Sequence, residues 1–262
     1  MSFITIDPVT CNHDGLCVQS CPVTILRKDE GGLPFMLEED SETCILCGHC
    51  VAVCPTGAFS HSRLALREFL PVPKNKADAD ALEALLLSRR SVRMFKKQPV
   101  PRQQLERLLE IGRRAPTASN SQNLSWNIIT DPDRLAKIEQ LAAAWLASDP
   151  ERSHYAQAAA SGRDVVLRGG TALVVPSCPD DYGWTDTDCA IALSYMELLA
   201  ASLGLGACWG GLVTRAGREV VELRAVLGIP DGQTIGGALI LGVPRQRHFR
   251  IPPRNRARVN WL

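Results

Sequence analysis

The chain has 262 residues, which predicts about one or two domains, and its 45 % hydrophobic and 22 % charged content is ordinary for a globular protein. A formal net charge of +1 argues against nucleic-acid binding. No apolar run approaches the ~20 residues of a membrane helix, and the N-terminal residues lack the pattern of a signal peptide. We therefore expect a cytoplasmic protein with no nucleic-acid partner and no membrane partner.

Seven of the ten cysteines form two copies of one pattern near the start of the chain. The first copy contains Cys11, Cys17 and Cys21, and the second contains Cys44, Cys47, Cys50 and Cys54. A constant offset of 33 residues relates the copies, and a proline follows the last cysteine of each. Asp14 stands at the position that Cys47 occupies in the second copy.

The second copy has the spacing C-x2-C-x2-C-x3-C-P, which holds cubane iron–sulfur clusters and sends its fourth cysteine to the neighbouring cluster. This segment resembles the bacterial two-cluster ferredoxins. One predicted centre uses Cys21, Cys44, Cys47 and Cys50, and the other uses Cys11, Asp14, Cys17 and Cys54. Two zinc sites are the alternative, but zinc prefers C-x2-C pairs and does not explain triplets that end in Cys-Pro.

Asp14 makes the two predicted centres unequal, because a carboxylate binds iron less well than a thiolate does. We expect two 4Fe-4S clusters, of which one has an oxygen-ligated iron, or a 3Fe-4S cluster at the Asp14 site. The neighbouring His13 is a competing ligand, although a role as a surface loop residue is favoured.

Composition and prolines indicate three segments. We predict an iron–sulfur domain over residues 1–65, a linker over 66–80 and a second domain over 81–262. Residues 1–65 carry eight acidic and three basic side chains, whereas the remainder has a net charge of +6. This imbalance in charge fits an acidic, electron-donating first domain beside a second domain that binds anions. Ordinary variation in surface charge is the alternative.

Hydrophobic periodicity predicts alternating helices and strands in the second domain. We expect a helix that carries Leu82, Leu85 and Leu86 and ends near residues 89–91. Further helices are expected from Pro101 onward, over 133–146, over 187–203 and over 217–227, and strands over 126–130, 171–175 and 235–243. The helix over 187–203 is apolar enough to be buried on all sides. Because strands and helices do not alternate strictly, the predicted fold class is α+β, with a small ferredoxin-like module followed by a mixed-sheet domain.

Four segments of the second domain carry residues suited to a phosphorylated cofactor. They are Arg89-Arg90-Ser91-Val92-Arg93, the polar loop at 115–123, the glycine-rich stretch at 204–211, and Pro253-Arg254-Asn255-Arg256. Paired guanidinium groups and a hydroxyl can grip a phosphate. In this order the four segments resemble the FMN-dependent nitroreductase family over about residues 80–258.

The resemblance implies roles for particular residues. Arg89, Ser91, Arg254 and Arg256 would hold the FMN phosphate, with Arg90 beside it, and Arg93 would face the pyrimidine edge of the flavin. Ser119, Asn120 and Gln122 would contact the ring, with Asn120 as the best polar contact, and Gly210 and Gly211 would bring a backbone amide to flavin N5. Asn123 replaces a proline that is common in the family. The resemblance also implies a homodimer with flavins at its interface.

These motifs predict an oxidoreductase that passes electrons from an external donor, ferredoxin or NAD(P)H, through iron–sulfur clusters to FMN. The expected acceptor is a small electron-poor molecule such as a nitroaromatic, a quinone or an activated alkene. One alternative is an electron-transfer protein without a small substrate, and another is an enzyme of reductive dehalogenation or ring modification. Cys178, Cys189, Cys208, Trp126 and Trp209 are expected to be packing residues.

Overall fold

The computed structural model describes residues 2–262 and separates them into two compact units. The first unit extends to Lys76 and includes Ser119–Ser121, and the second comprises Ala77–Ala118 and Gln122–Leu262. The chain therefore passes between the units at residues 76–77, within the segment that the sequence predicts as a linker, and again on each side of Ser119–Ser121.

The first unit preserves the 33-residue repeat in its backbone. Its elements are β1 (Ile4–Ile6), α1 (Leu16–Gln19), β2 (Arg27–Lys28), β3 (Pro34–Phe35), α2 (His49–Ala52) and β4 (Phe59–His61). Strands β1 and β4 pair antiparallel, as do β2 and β3. Gly15 and Gly48 precede the two short helices, each with φ of 73°, a left-handed conformation that glycine adopts readily.

The core of the first unit is small. Its buried hydrophobic cluster consists of Cys17, Leu26, Val51 and Phe59, with partly buried neighbours around it. Domains with so little buried apolar surface commonly need metals or disulfides for stability. All seven cysteines of this unit are free thiols and are therefore available as metal ligands.

The second unit is built around an antiparallel sheet. Its strands are β5 (Ser125–Ile129), β6 (Ala172–Pro179), β7 (Gly206–Trp209), β8 (Gln233–Ile235) and β9 (Leu239–Gly242). They are ordered β5-β6-β9-β7, and β8 also pairs with β6. Residues 172–178 of the central strand β6 are buried, as expected for a strand covered on both faces.

The second unit also contains seven α-helices. They are α3 (Ala79–Ser88), α4 (Arg102–Gly112), α5 (Pro132–Ala147), α6 (Ser153–Ala160), α7 (Thr185–Ser202), α8 (Gly211–Glu219) and α9 (Val221–Leu227). Leu173 and Val175 belong to a core with residues of α5, α8 and α9, whereas Ala172 and Val174 belong to a core with α4 and α7. This alternation confirms the predicted α+β class. Within residues 2–262, no helix is both long enough and apolar enough to cross a bilayer.

Three predicted elements need correction. The helix predicted over 217–227 is two helices, because Val220 adopts extended dihedral angles between α8 and α9. The strand predicted over 235–243 is likewise interrupted, since β8 ends at Ile235 and β9 begins at Leu239. The helix predicted over 187–203 begins earlier, at Thr185, and is not buried on all sides, because Tyr195 is 42 % exposed.

The interruption at Gly236 has a steric cause. A Cβ atom built on Gly236 would lie 2.2 Å from Sγ of Cys189 on α7, and the Gly236 amide donates to the carbonyl of Pro176 at 3.0 Å. Glycine at this position therefore allows α7 to pack closely against the chain between β8 and β9.

Candidate cofactor sites

Four predicted thiols of the first unit line one cavity. Cys44, Cys47 and Cys50 come from the second cysteine run, and Cys21 comes from the end of the first. The rest of the wall is largely apolar and includes Ile25, Leu26, Met36 and Leu64. The structure thus brings together the four residues that the sequence assigns to one centre, and four soft ligands in an apolar wall suit an iron–sulfur cluster.

The other predicted ligand set lines a second cavity. Cys11, Asp14, Cys17 and Cys54 all contribute to its wall. Oδ1 of Asp14 accepts a hydrogen bond from the amide of Leu16 at 3.0 Å, and the side chain is exposed. The cavity wall therefore carries three thiols and a carboxylate, and this set of donors fits a cluster with one weakly ligated or missing corner.

The thiols differ in their acidity. Burial raises the pKa of Cys50 to about 11 and also raises the pKa of Cys17. Burial acts in the same direction on Cys54, but hydrogen bonds from the Thr56 hydroxyl and nearby amides outweigh it, and the pKa of Cys54 lies below the ordinary value. Because iron binds thiolates, loading the first cavity must displace protons.

His61 is a further residue of the first cavity that the cysteine pattern does not reveal. Its Nε2 atom lies 3.8 Å from Sγ of Cys44, and its Nδ1 atom accepts a hydrogen bond from the amide of Arg63 at 3.1 Å. The side chain is buried and packs edge-on against Phe3, with ring centroids 4.6 Å apart. Burial, with a smaller effect of Arg63, lowers the pKa of His61.

A groove in the second unit contains part of the predicted phosphate site. Its wall includes Arg89 and Arg90, together with Arg247 and His248, which the sequence analysis did not single out. Three guanidinium groups and an imidazole around one groove fit the binding of a phosphate monoester.

The groove also contains an acidic residue, Glu197 on α7. Its Oε1 atom lies 2.9 Å from Nη1 of Arg89, and its Oε2 atom accepts a hydrogen bond from Nε1 of Trp209 at 3.2 Å. The Glu197 side chain is only 9 % exposed. Glu197 therefore fixes the direction of the Arg89 guanidinium and ties it to β7, and Trp209, 39 % exposed, has a polar contact beyond the predicted packing role.

The other predicted phosphate and pyrimidine residues occupy different positions. Ser91 forms a bridge with Ala207 of β7 and Arg93 is exposed, whereas Arg90 stays in the groove wall, where its Nη2 donates to the carbonyl of Leu87. Arg254 and Arg256 lie in an exposed terminal segment and do not line the groove. Their role at the phosphate remains a prediction.

The polar loop after α4 has an unusual backbone. Ser119, Asn120 and Gln122 all have φ near +50°, a region that non-glycine residues adopt at a cost. The amide of Ala118 donates to both carboxylate oxygens of buried Asp188, at 3.2 and 3.1 Å. Backbone strain of this kind clusters at functional sites.

Asn120 has partners in the first unit, to which residues 119–121 belong. Its Nδ2 atom donates to the carbonyls of Ile45 at 3.0 Å and Leu46 at 3.1 Å, between Cys44 and Cys47. The predicted ring contact of Asn120 would have to compete with these two hydrogen bonds, and it remains a prediction.

The two glycines whose backbone amides are predicted to meet flavin N5 differ in whether the amide already donates a hydrogen bond. The amide of Gly210 donates to the carbonyl of Ala238 at 2.8 Å and is therefore engaged. Gly211 begins α8, and the first amides of a helix have no acceptor within it. A Cβ atom built on Gly211 would meet nothing within 4 Å. Gly211 is thus the better candidate of the pair.

The remaining cysteines are core residues, as predicted. Cys178 and Cys189 are fully buried with their sulfur atoms 3.9 Å apart, and Cys208 is 5 % exposed. Desolvation raises the pKa of all three thiols. The three cysteines are therefore protonated residues packed in the core rather than metal ligands.

Two family models match separate parts of the chain. Residues 86–243 match the model of the nitroreductase family, and residues 9–59 match the 4Fe-4S dicluster domain. The fold and the two kinds of site define a redox enzyme. The chain belongs to the nitroreductase family and carries an N-terminal 4Fe-4S dicluster domain, which confirms the predicted family and oxidoreductase class.

Individual relatives cover one unit or the other. NADH dehydrogenase of Thermus thermophilus is 28 % identical over 63 % of this chain and 89 % of its own length. Ferredoxin 7Fe of Hydrogenibacillus schlegelii is 32 % identical over 26 % of this chain and 83 % of its own length. The crystal structure of an FMN-bound nitroreductase from Bacteroides fragilis has a TM-score of 0.62 at 23 % identity, covering 69 % of this chain and 97 % of that one.

Proposed function

We propose that this protein is an FMN-dependent oxidoreductase that receives electrons through two iron–sulfur centres and reduces a small electron-poor organic molecule. The observation that carries the proposal is that one chain combines two cysteine-lined cavities with an arginine-lined groove on a nitroreductase fold. Nitroaromatics, quinones and activated alkenes are the expected substrate class.

The first centre is a 4Fe-4S cluster held by Cys21, Cys44, Cys47 and Cys50. The second is held by Cys11, Cys17 and Cys54, and Asp14 leaves its fourth corner weakly ligated or vacant. Similarity to a ferredoxin named for seven irons supports one four-iron and one three-iron cluster.

FMN would bind with its phosphate at Arg89, Arg90 and Ser91, with Arg254 and Arg256 completing the site. Arg247 and His248 also line the groove and are further candidates for binding the phosphate. Arg93 would face the pyrimidine edge, the loop with Ser119 and Gln122 would approach the ring, and the Gly211 amide would face N5. When bound, FMN exchanges electrons singly with the clusters and in pairs with organic substrates.

The external donor is NAD(P)H or a ferredoxin. Similarity to a relative named NADH dehydrogenase favours the nicotinamide donor. Seven cysteines at iron-ligand spacing favour a compartment that keeps thiols reduced, such as the cytoplasm.

The active form is a homodimer, and an exposed apolar face on α3 supports this. Leu82, Leu86 and Leu87 are each about half exposed, which is costly on an isolated surface helix. We expect Leu86→Glu to convert a dimer to a monomer in light scattering, because the charge would have to be desolvated. Glu83→Ala, on the same helix, is the matched control and should leave a dimer. A wild-type monomer at working concentrations would contradict the dimer.

Stoichiometry after anaerobic purification tests the proposed cofactors. We expect about seven irons per chain and one FMN released on denaturation. Reduction of quinones and nitroaromatics should then be measurable. A protein loaded with both cofactors that transfers electrons only to another protein would favour the electron-carrier alternative, and a protein without iron or FMN would refute the proposal.

Replacing Asp14 with cysteine should complete the second ligand set. The expected result is an increase of about one iron per chain, together with loss of the paramagnetic signal of the oxidised three-iron cluster. Asp7→Cys, also in the first unit but outside the cavity, is the matched control. A wild-type spectrum that shows two four-iron clusters would contradict the vacant corner and leave Asp14 as a weak ligand of the fourth iron.

A further inference from the structure

His61 is buried although histidine is usually found at or near the surface. It ends β4, whose residues alternate between buried Phe59, exposed Ser60 and buried His61. β4 pairs with β1 so that His61 lies opposite Ile4. The period of two along the strand therefore directs the imidazole inward, to the same side as Phe59.

The turn after β4 determines which ring nitrogen carries the proton. The amide of Leu64 donates to the carbonyl of His61 at 3.2 Å, and the resulting turn brings the amide of Arg63 to Nδ1. Since a backbone amide can only donate, Nδ1 is the acceptor. In a neutral imidazole the proton is then on Nε2, the atom that lies 3.8 Å from Sγ of Cys44.

We propose that His61 donates an Nε2–H···Sγ hydrogen bond to Cys44 and thereby raises the reduction potential of the cluster held by Cys21, Cys44, Cys47 and Cys50. This inference rests on the proposed iron–sulfur centre. Reduction adds negative charge to the cluster and its thiolates, so a fixed donor stabilises the reduced state more than the oxidised one. Hydrogen bonds to the sulfurs are among the features that set cluster potentials.

The 33-residue repeat shows that this donor is specific to one centre. Position 28 corresponds to position 61 and is occupied by Lys28, which is exposed. The Lys28 ammonium bonds the carbonyl of His13 at 3.4 Å rather than a thiol. His61 therefore adds to the difference that Asp14 creates. It makes the cluster held by Cys21, Cys44, Cys47 and Cys50 easier to reduce than that cluster would be without the histidine.

The test is a potentiometric titration of the full chain, followed by paramagnetic resonance, for the wild type and His61→Phe. Phenylalanine keeps a ring against Phe3 but removes the donor. We expect about a tenfold smaller equilibrium constant for reduction of this cluster, or about 59 mV for one electron, while the centre containing Asp14 keeps its potential. His61→Gln retains an N–H donor and should recover part of the shift, and His49→Phe, an exposed histidine in the same unit, should cause none.

A measurement on the wild type avoids dependence on the folding of a variant. Electron–nuclear double resonance of the reduced cluster, with ¹⁵N-labelled histidine, should detect the nitrogen and its exchangeable proton. Absence of that coupling, an unchanged potential in His61→Phe, or equal shifts of both centres would overturn the role of His61. Failure of the wild type to hold the cluster would instead overturn the proposed function.

Discussion

Replacing Arg89 with alanine should weaken FMN binding about 100-fold. The guanidinium would supply charge-assisted hydrogen bonds to the phosphate, each contributing about 1.5–3 kcal/mol. Its loss would also leave the carboxylate of Glu197 unpaired beside the phosphate. Fluorescence titration of the flavin-free protein with FMN measures the dissociation constant, and the iron content should stay at the wild-type value.

A double variant separates the two effects of Arg89. Arg89→Ala with Glu197→Gln removes the unpaired carboxylate, so this double variant should bind FMN about tenfold more tightly than Arg89→Ala alone.

A second double variant tests the phosphate site. Combining Arg89→Ala with Arg256→Ala should remove the bound flavin, and the matched control replaces Arg256→Ala with Arg258→Ala in the same terminal segment. Wild-type flavin occupancy in the Arg89→Ala, Arg256→Ala protein would show that the phosphate binds elsewhere.

Replacing Cys47 with alanine should convert the first cluster to a three-iron cluster. We expect the iron content to fall by about one per chain and transfer of electrons from the clusters to the flavin to slow, because Cys47 occupies the repeat position of Asp14 and its loss leaves three thiolates around a cluster of altered potential. FMN content should be unchanged, since the flavin site is assigned to other residues. Iron analysis and anaerobic rapid mixing provide the two readouts.

The control for Cys47 is a cysteine in the second unit. Cys178 is fully buried and lies outside both cysteine-lined cavities. Cys178→Ala should keep all of the iron. If Cys47→Ala retained the full complement, the assignment of the first cluster would be wrong.

The sequence predicted the two cysteine-lined cavities because ligand spacing is a local property. Cys44, Cys47 and Cys50 lie in one short stretch of the chain, and the exchange of Cys21 and Cys54 between cavities follows from the C-x2-C-x2-C-x3-C-P spacing. The partners of Arg89 and Cys44 could not be predicted in this way. Glu197 is 108 residues from Arg89, and His61 is 17 residues from Cys44, so only the folded chain reveals either contact.

The boundaries of elements were predictable only where the chain carries a local signal. Asp131 caps α5 and Pro132 opens it, and the predicted helix over 133–146 agrees closely with Pro132–Ala147. The break at Val220 has no glycine or proline, and a β-branched residue there gives no warning of a helix end. The predicted elements include no strand in the glycine-rich stretch at 204–211, yet residues 206–209 form β7, because pairing with β9 overrides the local preference.

Anaerobic rapid mixing of the wild-type protein tests most directly whether the clusters feed the flavin. The clusters are reduced with less than one equivalent of reductant per centre, and cluster and flavin absorption are followed separately. The proposed function predicts that flavin absorption is lost as the clusters become oxidised again, and that Cys47→Ala slows this exchange. Clusters that remain reduced beside an oxidised, fully bound flavin would contradict it.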